Sequence, residues 1–441
     1  MKIAGASFTV VGAARSGLAA ANYLAQAGAN VHLVDHKPDL ERPSQLDERV
    51  SFKSGTNSVR DSDIAILSPG IPEVSPVRQE IAAQASETLG EMELFGRLCP
   101  SPIIGITGTD GKSTVTTMIG AIMREAGKTT FVGGNLGNPL TEDLPTMTKD
   151  SVAVAEVSCF QLTSCTLFKP QVAVVTNIAV DHVDYHGSFE AYQAAKRRIT
   201  LRMGAADCVI LNGDDPYIAR WRLDTPAKVL KFSALGDPDA DASYQEGNLR
   251  IGATELFSRA EFQLLGNHNV ANALAAGLAA HAFGVDVPTI RKALLSYESL
   301  PHRLRTVATI DGIRWVNDSK ATNPNAAAAA LNAMDSPSIL LAGGSVKDAD
   351  FTSLGTLISQ KTKAAILFGQ TRETLANAID SSHPVLVVET MEEAVQKARS
   401  LALQGDTILL SPACASFDQF KSYAHRGEVF EGLVGKLSAE S

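Results

Sequence analysis

Several features of secreted, membrane-spanning and nucleic-acid-binding proteins are missing from this sequence of 441 residues. The five cysteines have no paired spacing, which argues against a disulfide framework or a metal knuckle and favours a reducing cytoplasm. No apolar run is long enough to cross a bilayer, and Arg15 and Ser16 interrupt the short one at the amino end. The formal net charge of −9 argues against nucleic acid as a partner. We therefore expect a cytoplasmic protein without membrane insertion.

The composition is that of an ordinary globular protein, with 45% hydrophobic and 20% charged residues. The length is sufficient for two or three domains, and strand patterns alternate with helical patterns along most of the chain. Turn-rich segments near Cys99 and at Leu300–Arg303 interrupt this alternation. The sequence therefore predicts three α/β domains, at 1–98, 99–299 and 300–441.

A phosphate-binding loop is predicted where a buried strand from Ile103 meets a helix from Ser113. Gly108 and Gly111 allow a tight turn, and a helix that starts there directs its free N–H groups and dipole at an anion. Lys112 supplies a charge for phosphate, and the Ser113 hydroxyl can bind Mg²⁺. Because Ile106 replaces the first glycine of the strict motif, an ordinary strand–turn–helix junction stays open as the weaker alternative.

The first domain carries an imperfect dinucleotide fingerprint. A strand at Phe8–Val11, a turn from Gly12, a helix at Ser16–Ala27 and a strand at Val31–Val34 lead to Asp35, where a ribose-binding acid belongs. Alanine replaces the middle glycine of the fingerprint, so the signal is weak. An NAD-dependent oxidoreductase is therefore one alternative, and a nucleotide-gated binding module without catalysis is another.

Three side chains of the middle region are candidates for metal binding or acid–base chemistry. Glu156 follows a predicted strand and could complete a Mg²⁺ site with Ser113, or it is a surface acid. His182 lies between two acids and is a second ligand, a general base or a structural histidine. Lys196 lies on a predicted helix, and since a protonated lysine cannot bind a cation, it is either a surface charge or chemically altered.

Further polar residues cluster near the last predicted boundary. Asn269 and Asn272 stand at i and i+3 of a predicted helix and share one face. Arg303, Asp318 and Lys320 are expected to reach phosphates and ribose. Beyond them, Asp311-Gly312 between two strand patterns predicts a hairpin, and Cys414 is interpreted as a small buried residue.

Six segments together resemble the Mur ligases, in order and across all three predicted domains. They are Gly-Thr-Asp-Gly-Lys-Ser-Thr at 108–114, Ala-Glu-Val-Ser-Cys-Phe-Gln-Leu at 155–162, His-Asn-Val-Ala-Asn-Ala-Leu-Ala-Ala at 268–276, Leu-Pro-His-Arg at 300–303, Asn-Asp-Ser-Lys-Ala-Thr-Asn at 317–323 and Ser-Pro-Ala-Cys-Ala-Ser-Phe-Asp-Gln-Phe at 411–420. The second and the last are most similar to the branch of the family that adds D-glutamate.

The resemblance implies a fold and a reaction. It implies a Rossmann-like UDP-sugar-binding domain at 1–98, a P-loop ATPase-like domain with a mainly parallel sheet at 99–299, and a Rossmann-like domain at 300–441 for the incoming amino acid. The implied reaction joins D-glutamate to UDP-N-acetylmuramoyl-L-alanine through an acyl phosphate, at the expense of ATP, in peptidoglycan precursor synthesis. A sibling ligase for another amino acid stays open, and we expect a monomer.

The resemblance also implies roles for individual residues. Lys112, His182 and Lys196 would be catalytic, and two Mg²⁺ ions would be held by Ser113 with Glu156 and by His182 with a carbamylated Lys196. The implied ATP contacts are Gly108, Thr109, Asp110, Gly111, Lys112, Ser113, Thr114, Asn269, Asn272, Arg303 and Asp318. The implied UDP-sugar contacts are Ala13, Ala14, Asp35, His36, Lys37, Gly70, Asn135, Ser158, Gln161 and Lys320. The implied D-glutamate contacts are Thr322, Lys347, Ser416 and Tyr423.

Three positions depart from the family pattern. Asp110 stands where Asn is usual, and we expect its side chain to point away from the phosphates or to form a salt bridge. His36-Lys37 replaces a Thr-Arg type of uracil contact, and Tyr423 replaces another aromatic residue.

Overall fold

The computed structural model describes residues 1–61, 63–72, 74–221, 223–345 and 350–440. Their contacts divide the chain into two compact units. The first comprises the described residues of Met1–Phe262 and Val270–Tyr297, and the second those of Gln263–Asn269 and Glu298–Ser441. The α/β class with mainly parallel sheets is confirmed, whereas the boundaries at 98/99 and 299/300 stay a prediction.

The first sheet belongs to the first unit and is parallel throughout the described residues. Its strands are β1 Ser7–Val11, β2 Asn30–Asp35, β3 Ser51–Ser54, β4 Ile64–Leu67 and β5 Glu87–Gly90, and its helices are α1 Arg15–Gln26, α2 Pro76–Gln84 and α3 Glu91–Leu98. The spatial order is β3-β2-β1-β4-β5. The order reverses between β1 and β4, so a crevice suited to a ligand forms at their carboxyl ends.

The second sheet also belongs to the first unit. Its strands are β6 Ile103–Thr107, β7 Thr130–Gly134, β8 Val152–Glu156, β9 Val172–Val175, β10 Cys208–Asn212, β11 Lys228–Ser233, β12 Ala242–Gln245, β13 Asn248–Ile251 and β14 Thr254–Ser258. The helices of this region are α4 Lys112–Glu125, α5 Cys159–Thr163, α6 Val183–His186, α7 Phe189–Arg197, α8 Asn267–Ala282 and α9 Val287–Leu295. Short 3₁₀ turns lie at Leu140–Glu142, Leu144–Thr146, Arg198–Thr200, Ile218–Arg220 and Arg259–Glu261.

The spatial order of the second sheet is β14-β13-β12-β11-β10-β9-β6-β8-β7. The strands are parallel from β7 to β12, and β13 and β14 continue as antiparallel hairpins. Every residue of β6, β8 and β9 is buried, as expected of parallel strands covered by helices on both faces. The topological switch lies at β6, so its carboxyl end is the expected ligand edge.

The third sheet belongs to the second unit. Its strands are β15 Arg305–Ile310, β16 Ile313–Asn317, β17 Ser338–Ala342, β18 Thr362–Leu367, β19 Val385–Val387 and β20 Thr407–Leu410, and its helices are α10 Pro324–Asn332, α11 Thr352–Lys361, α12 Arg372–Ala378, α13 Met391–Leu401 and α14 Tyr423–Glu440. The order is β15-β16-β20-β17-β18-β19, with an antiparallel pair at β15-β16. That hairpin was predicted, and Asp311 (φ 52°) and Gly312 (φ 75°) both adopt the positive φ of a type I′ turn.

A buried carboxylate joins the two sheets of the first unit. Glu93 on α3 is fully buried and accepts the backbone N–H groups of Thr166 (2.9 Å), Leu167 (2.9 Å) and Phe168 (2.9 Å). The Arg97 Nε atom donates to the same carboxylate at 2.7 Å. Burial acts to raise the pKa of Glu93, but these hydrogen bonds outweigh it and lower the pKa, so the charged form is held in place. Among the described residues, no helix is long and apolar enough to span a membrane.

Candidate active site

The predicted phosphate loop lies between β6 and α4, and it depends on two glycines. Gly108 has φ +145° and Gly111 has φ +78°, both in the region that favours glycine. A Cβ atom at Gly108 would collide with Oγ1 of Thr176, and one at Gly111 would collide with Oδ1 of Asn272. No side chain caps the amino end of α4 at Gly111, so the first N–H groups of the helix suit an anion.

Lys112 folds back over the loop that precedes it. Its Nζ atom donates to the carbonyl oxygens of Gly108 at 3.0 Å and Thr109 at 2.6 Å. The amine of Lys112 is therefore held at the mouth of the loop, where the sequence analysis expects phosphate to bind.

Lys196 is the least expected feature of this site, because its amine is buried. The residue is only 2% exposed, and Nζ donates to the Gly108 carbonyl oxygen at 2.5 Å. Burial, followed by the charge of Lys112, lowers the pKa of Lys196 to about 7. The surface-charge alternative is wrong, and at neutral pH a large fraction of the amine carries no proton.

Glu156 ends β8 beside the strand that leads into the loop, paired in register with Ile106. It is 2% exposed, and Oε1 accepts a hydrogen bond from Asn135 Nδ2 at 2.6 Å. Oε2 is buried and has no hydrogen-bond partner among the described residues. A buried carboxylate oxygen without a donor is costly unless a cation compensates it, so this position fits Mg²⁺.

His182 precedes the short helix α6 and has φ 50°. Its ring lies 4.7 Å from that of Phe160 and 6.4 Å from that of Tyr192, and Nε2 is 3.3 Å from Asp181 Oδ2. Within the part of the chain that the structure describes, no group of three His, Cys, Asp or Glu side chains could hold a metal ion. His182 therefore belongs to no such group in that part of the chain.

Tyr192 connects these elements, and sequence reasoning missed it. It is buried, its hydroxyl lies 2.8 Å from Thr109 Oγ1, and the Lys196 amine lies 4.6 Å from the centre of its ring. Thr109 Oγ1 also accepts the N–H of Ala179 at 2.9 Å. The spacing of Tyr192 and Lys196, four residues apart on α7, was the available signal, since such residues share one helix face.

Asn135, Ser158 and Gln161 lie around the same end of β8. The Asn135 N–H donates to the Glu156 carbonyl at 2.8 Å. Ser158 caps α5 and forms a capping box with Gln161, whose Oε1 accepts the Ser158 N–H at 2.9 Å. Asn135 therefore contacts Glu156 directly, Ser158 follows Glu156 two residues later in the chain, and Gln161 is bonded to Ser158.

The predicted uridine diphosphate contacts gather at the crevice of the first sheet. The Asp35 carboxylate accepts the N–H groups of Ala13 at 2.8 Å and Lys37 at 3.0 Å. Burial acts to raise the pKa of Asp35, but these two hydrogen bonds outweigh it and lower the pKa. His36 is exposed beside Asp35, and Gly70 lies in the loop after β4. No side chain caps the amino end of α1 at Ala14, which leaves N–H groups for an anion.

Arg15 links this crevice to the second sheet, which sequence reasoning did not anticipate. Its guanidinium donates to the Gly137 carbonyl and, at 3.1 Å, to Asn138 Oδ1. The contact holds the loop after β7, which carries Asn135, against the turn that begins α1.

The second unit contains its own group of predicted residues. Asp318 is buried and accepts hydrogen bonds from the Leu304 N–H (3.2 Å) and the Ser411 hydroxyl (2.9 Å), and burial raises its pKa to about 7. Lys320 Nζ donates to the Tyr423 hydroxyl at 3.1 Å. Asn269 Nδ2 donates to the Leu265 carbonyl at 2.8 Å, whereas Asn272 belongs to the first unit.

A buried arginine missed by sequence reasoning supports the predicted D-glutamate residues. Arg426 is fully buried and donates to the carbonyls of Ser319 at 2.8 Å and Cys414 at 3.0 Å. It thereby holds the segment that leads to Ser416, which is 1% exposed. Thr322 is half-buried in the loop before α10, and Lys347 lies outside the described residues.

Comparison with family models shows which class of protein combines this fold with this site. Residues 106–280 match the Mur ligase middle domain, residues 302–414 match the Mur ligase glutamate ligase domain, and residues 6–90 match the MurD-like N-terminal domain of Mur ligases. The chain belongs to the Mur ligase family.

Individual relatives show which members of the family the chain resembles. A protein of Pelotomaculum thermopropionicum is 39% identical over 97% of both chains, and one of Geotalea uraniireducens is 37% identical over 99% of both. Each is named UDP-N-acetylmuramoylalanine–D-glutamate ligase. Among solved structures, the UDP-N-acetylmuramate–alanine ligase of Thermotoga maritima aligns over 99% of this chain and 100% of its own, with a TM-score of 0.61 and 17% identity, which supports the fold.

Replacing Gly111 by alanine tests the close approach at the phosphate loop. Gly111 and Gly127 have nearly equal positive φ values, 78° and 74°, but a Cβ atom would meet nothing within 4 Å at Gly127. We expect Gly111→Ala to weaken ATP binding in the presence of Mg²⁺ by about tenfold or more, because the new methyl group would displace Asn272 or the loop. A tenfold loss of affinity corresponds to about 1.4 kcal/mol of binding free energy. Calorimetric titration measures this, with Gly127→Ala as the control for backbone strain alone. Equal affinities of the two variants would contradict the assignment.

Proposed function

We propose that this chain is an ATP-dependent ligase that joins D-glutamate to UDP-N-acetylmuramoyl-L-alanine in peptidoglycan precursor synthesis. The observation that carries the proposal is the similarity along the whole chain, between 36 and 39% identity, to relatives that share one ligase name. The phosphate loop and the buried polar groups beside it supply the means for phosphoryl transfer. A cytoplasmic monomer is part of the proposal.

The reaction has two chemical steps. The L-alanyl carboxylate attacks the γ-phosphorus of ATP, the bond to the β-phosphate oxygen breaks, and an acyl phosphate and ADP form. The amine of D-glutamate then attacks the acyl carbon, loses a proton, and expels phosphate from the tetrahedral intermediate to leave an amide. Both steps concentrate negative charge near the transferred phosphoryl group, so catalysis depends on positioned positive charge.

The phosphate loop would hold the ATP phosphates. In the proposal, the backbone from Gly108 to Thr114 surrounds them, and Lys112 exchanges its carbonyl partners for phosphate oxygens. Asn269, Asn272, Arg303 and Asp318 contact the rest of the nucleotide. The Asn272 amide already packs against Gly111.

Two Mg²⁺ ions are part of the proposal, one held by Ser113 with Glu156 and the other by His182 with Lys196. Bound Mg²⁺ neutralises charge on the transferred phosphoryl group. The buried Oε2 atom of Glu156, which has no hydrogen-bond partner among the described residues, supports the first position.

Carbamylation would convert Lys196 from a cation that repels the metal into an anion that binds it. A neutral amine attacks CO₂, forms a C–N bond and loses a proton, which leaves an anionic carbamate. The pKa of about 7 supports this step, because burial keeps much of the amine neutral. Lys112 nearby disfavours the ammonium form and favours the carbamate.

The remaining predicted contacts are assigned by domain. Ala13, Ala14, Asp35, His36, Lys37 and Gly70 would bind uridine diphosphate, and Asn135, Ser158, Gln161 and Lys320 the sugar-peptide and its phosphates. Thr322, Lys347, Ser416 and Tyr423 would bind D-glutamate.

Amino-acid-dependent phosphate release tests the function directly. We expect release from ATP with UDP-N-acetylmuramoyl-L-alanine and D-glutamate, and only background release with L-glutamate, L-alanine or diaminopimelate. A coupled phosphate assay with mass detection of the amide product measures both. Release with another amino acid would assign a sibling step, and NADH binding without release would favour the oxidoreductase.

Lys196→Ala tests the carbamate through chemical rescue. We expect a loss of turnover of about 100-fold or more, because the second metal loses its anionic ligand. Added acetate or propionate should restore part of the rate by occupying the space of the carbamate. Lys112→Ala should be inactive without rescue, whereas the exposed Lys128→Ala should behave as wild type. Rescue of Lys112→Ala and Lys196→Ala alike would contradict the specific role of Lys196.

A further inference from the structure

Asp110 places a negative charge inside the phosphate loop, between Thr109 and Gly111. Its side chain is exposed, and within the described ranges it takes part in no ion pair. The expected salt bridge is therefore absent there, whereas the expectation that the side chain points away from the phosphates stays a prediction. An acid at this position opposes the binding of phosphate unless something compensates its charge.

The backbone of Asp110 is fixed on both sides. Its N–H donates to Asn177 Oδ1 at 2.8 Å. Its carbonyl accepts from Thr176 Oγ1 at 2.6 Å and from Asn177 Nδ2 at 3.1 Å. Because both peptide groups are held by the segment after β9, the backbone of Asp110 is fixed next to the amino end of α4.

The lysines of the site do not neutralise Asp110 directly. The amines of Lys112 and Lys196 both bond to the carbonyl of Gly108. The carboxylate of Asp110 nevertheless acts on the same region. Its charge raises the pKa of Lys196 against the larger effect of burial, and it raises the pKa of Tyr192 in the same direction as burial. Asp110 also directly precedes Gly111, at the uncapped amino end of α4, so its charge lies next to the N–H groups that suit an anion.

We propose that Asp110 makes the loop select nucleotide already complexed with Mg²⁺ and reject free nucleotide. This inference rests on the proposed function, because it requires ATP at this loop. Free ATP carries about four negative charges and its Mg²⁺ complex about two, so Coulomb repulsion from Asp110 is about twice as large for the free form. The carboxylate can also accept hydrogen bonds from water bound to Mg²⁺, which the free nucleotide lacks.

The experiment compares ATP binding in EDTA with ATP binding in excess Mg²⁺ for Asp110→Asn and wild type. Asparagine keeps the size and the backbone contacts and removes the charge. The measured quantity is the dissociation constant in EDTA divided by the dissociation constant in excess Mg²⁺. We expect this ratio to be about tenfold lower in Asp110→Asn than in wild type, mainly because the variant binds free ATP more tightly. The difference should shrink as the salt concentration rises.

Asp150→Asn is the matched control. Asp150 is exposed and precedes β8, at the edge of the second sheet opposite the phosphate loop, so the substitution makes the same change in net charge at a distance. Its ratio should equal that of wild type.

Three results are decisive. A lowered ratio in Asp110→Asn alone supports the inference. An unchanged ratio, in a variant that binds the Mg²⁺ complex and melts like wild type, overturns it and leaves the proposed function intact. Failure of wild type to bind ATP in either form overturns the proposed nucleotide site, and this inference with it.

Discussion

The carbonyl oxygen of Gly108 accepts hydrogen bonds from two lysine amines, and much of the site depends on this contact. Lys112 reaches it from the amino end of α4 and Lys196 from α7. The two amines are thereby confined to one place. Burial and the charge of Lys112 together lower the pKa of Lys196 to about 7. A single carbonyl therefore positions both lysine amines beside the same turn.

The surrounding sheet makes this arrangement possible. The parallel strands β6, β8 and β9 end at one edge, so the phosphate loop, Glu156 and the segment after β9 converge without long connections. In the first sheet, the parallel strands β1 and β4 likewise end at one edge. There the Asp35 carboxylate accepts a hydrogen bond from the turn before α1. Arg15 and Glu93 then join the two sheets of the first unit through buried or bridging polar contacts.

Local signals made much of this predictable. The glycine turn before α4, the Asp311-Gly312 hairpin and the strands that end at Asp35 and Glu156 all follow from short-range patterns of glycine, periodicity and turn residues. The roles of Lys196, Tyr192 and Arg426 depend on burial against segments far away in the sequence, which periodicity does not reveal. For Lys196 the sequence left two alternatives open, and only its burial decides against a surface charge. The resemblance to a family supplied roles that the residues alone left open.

The central proposal is that the buried amine of Lys196 is largely neutral and captures CO₂ as a carbamate. Carbon NMR with ¹³C-labelled bicarbonate tests it most directly. The spectrum of Lys196→Ala is subtracted from that of wild type, and this subtraction removes the carbamate signal of the amino terminus, which both proteins share. The account predicts a carbamate signal in that difference, and the signal should increase as the pH rises through the lysine pKa of about 7. No signal assignable to Lys196, together with titration of its amine near the ordinary value of about 10.4, would contradict the account.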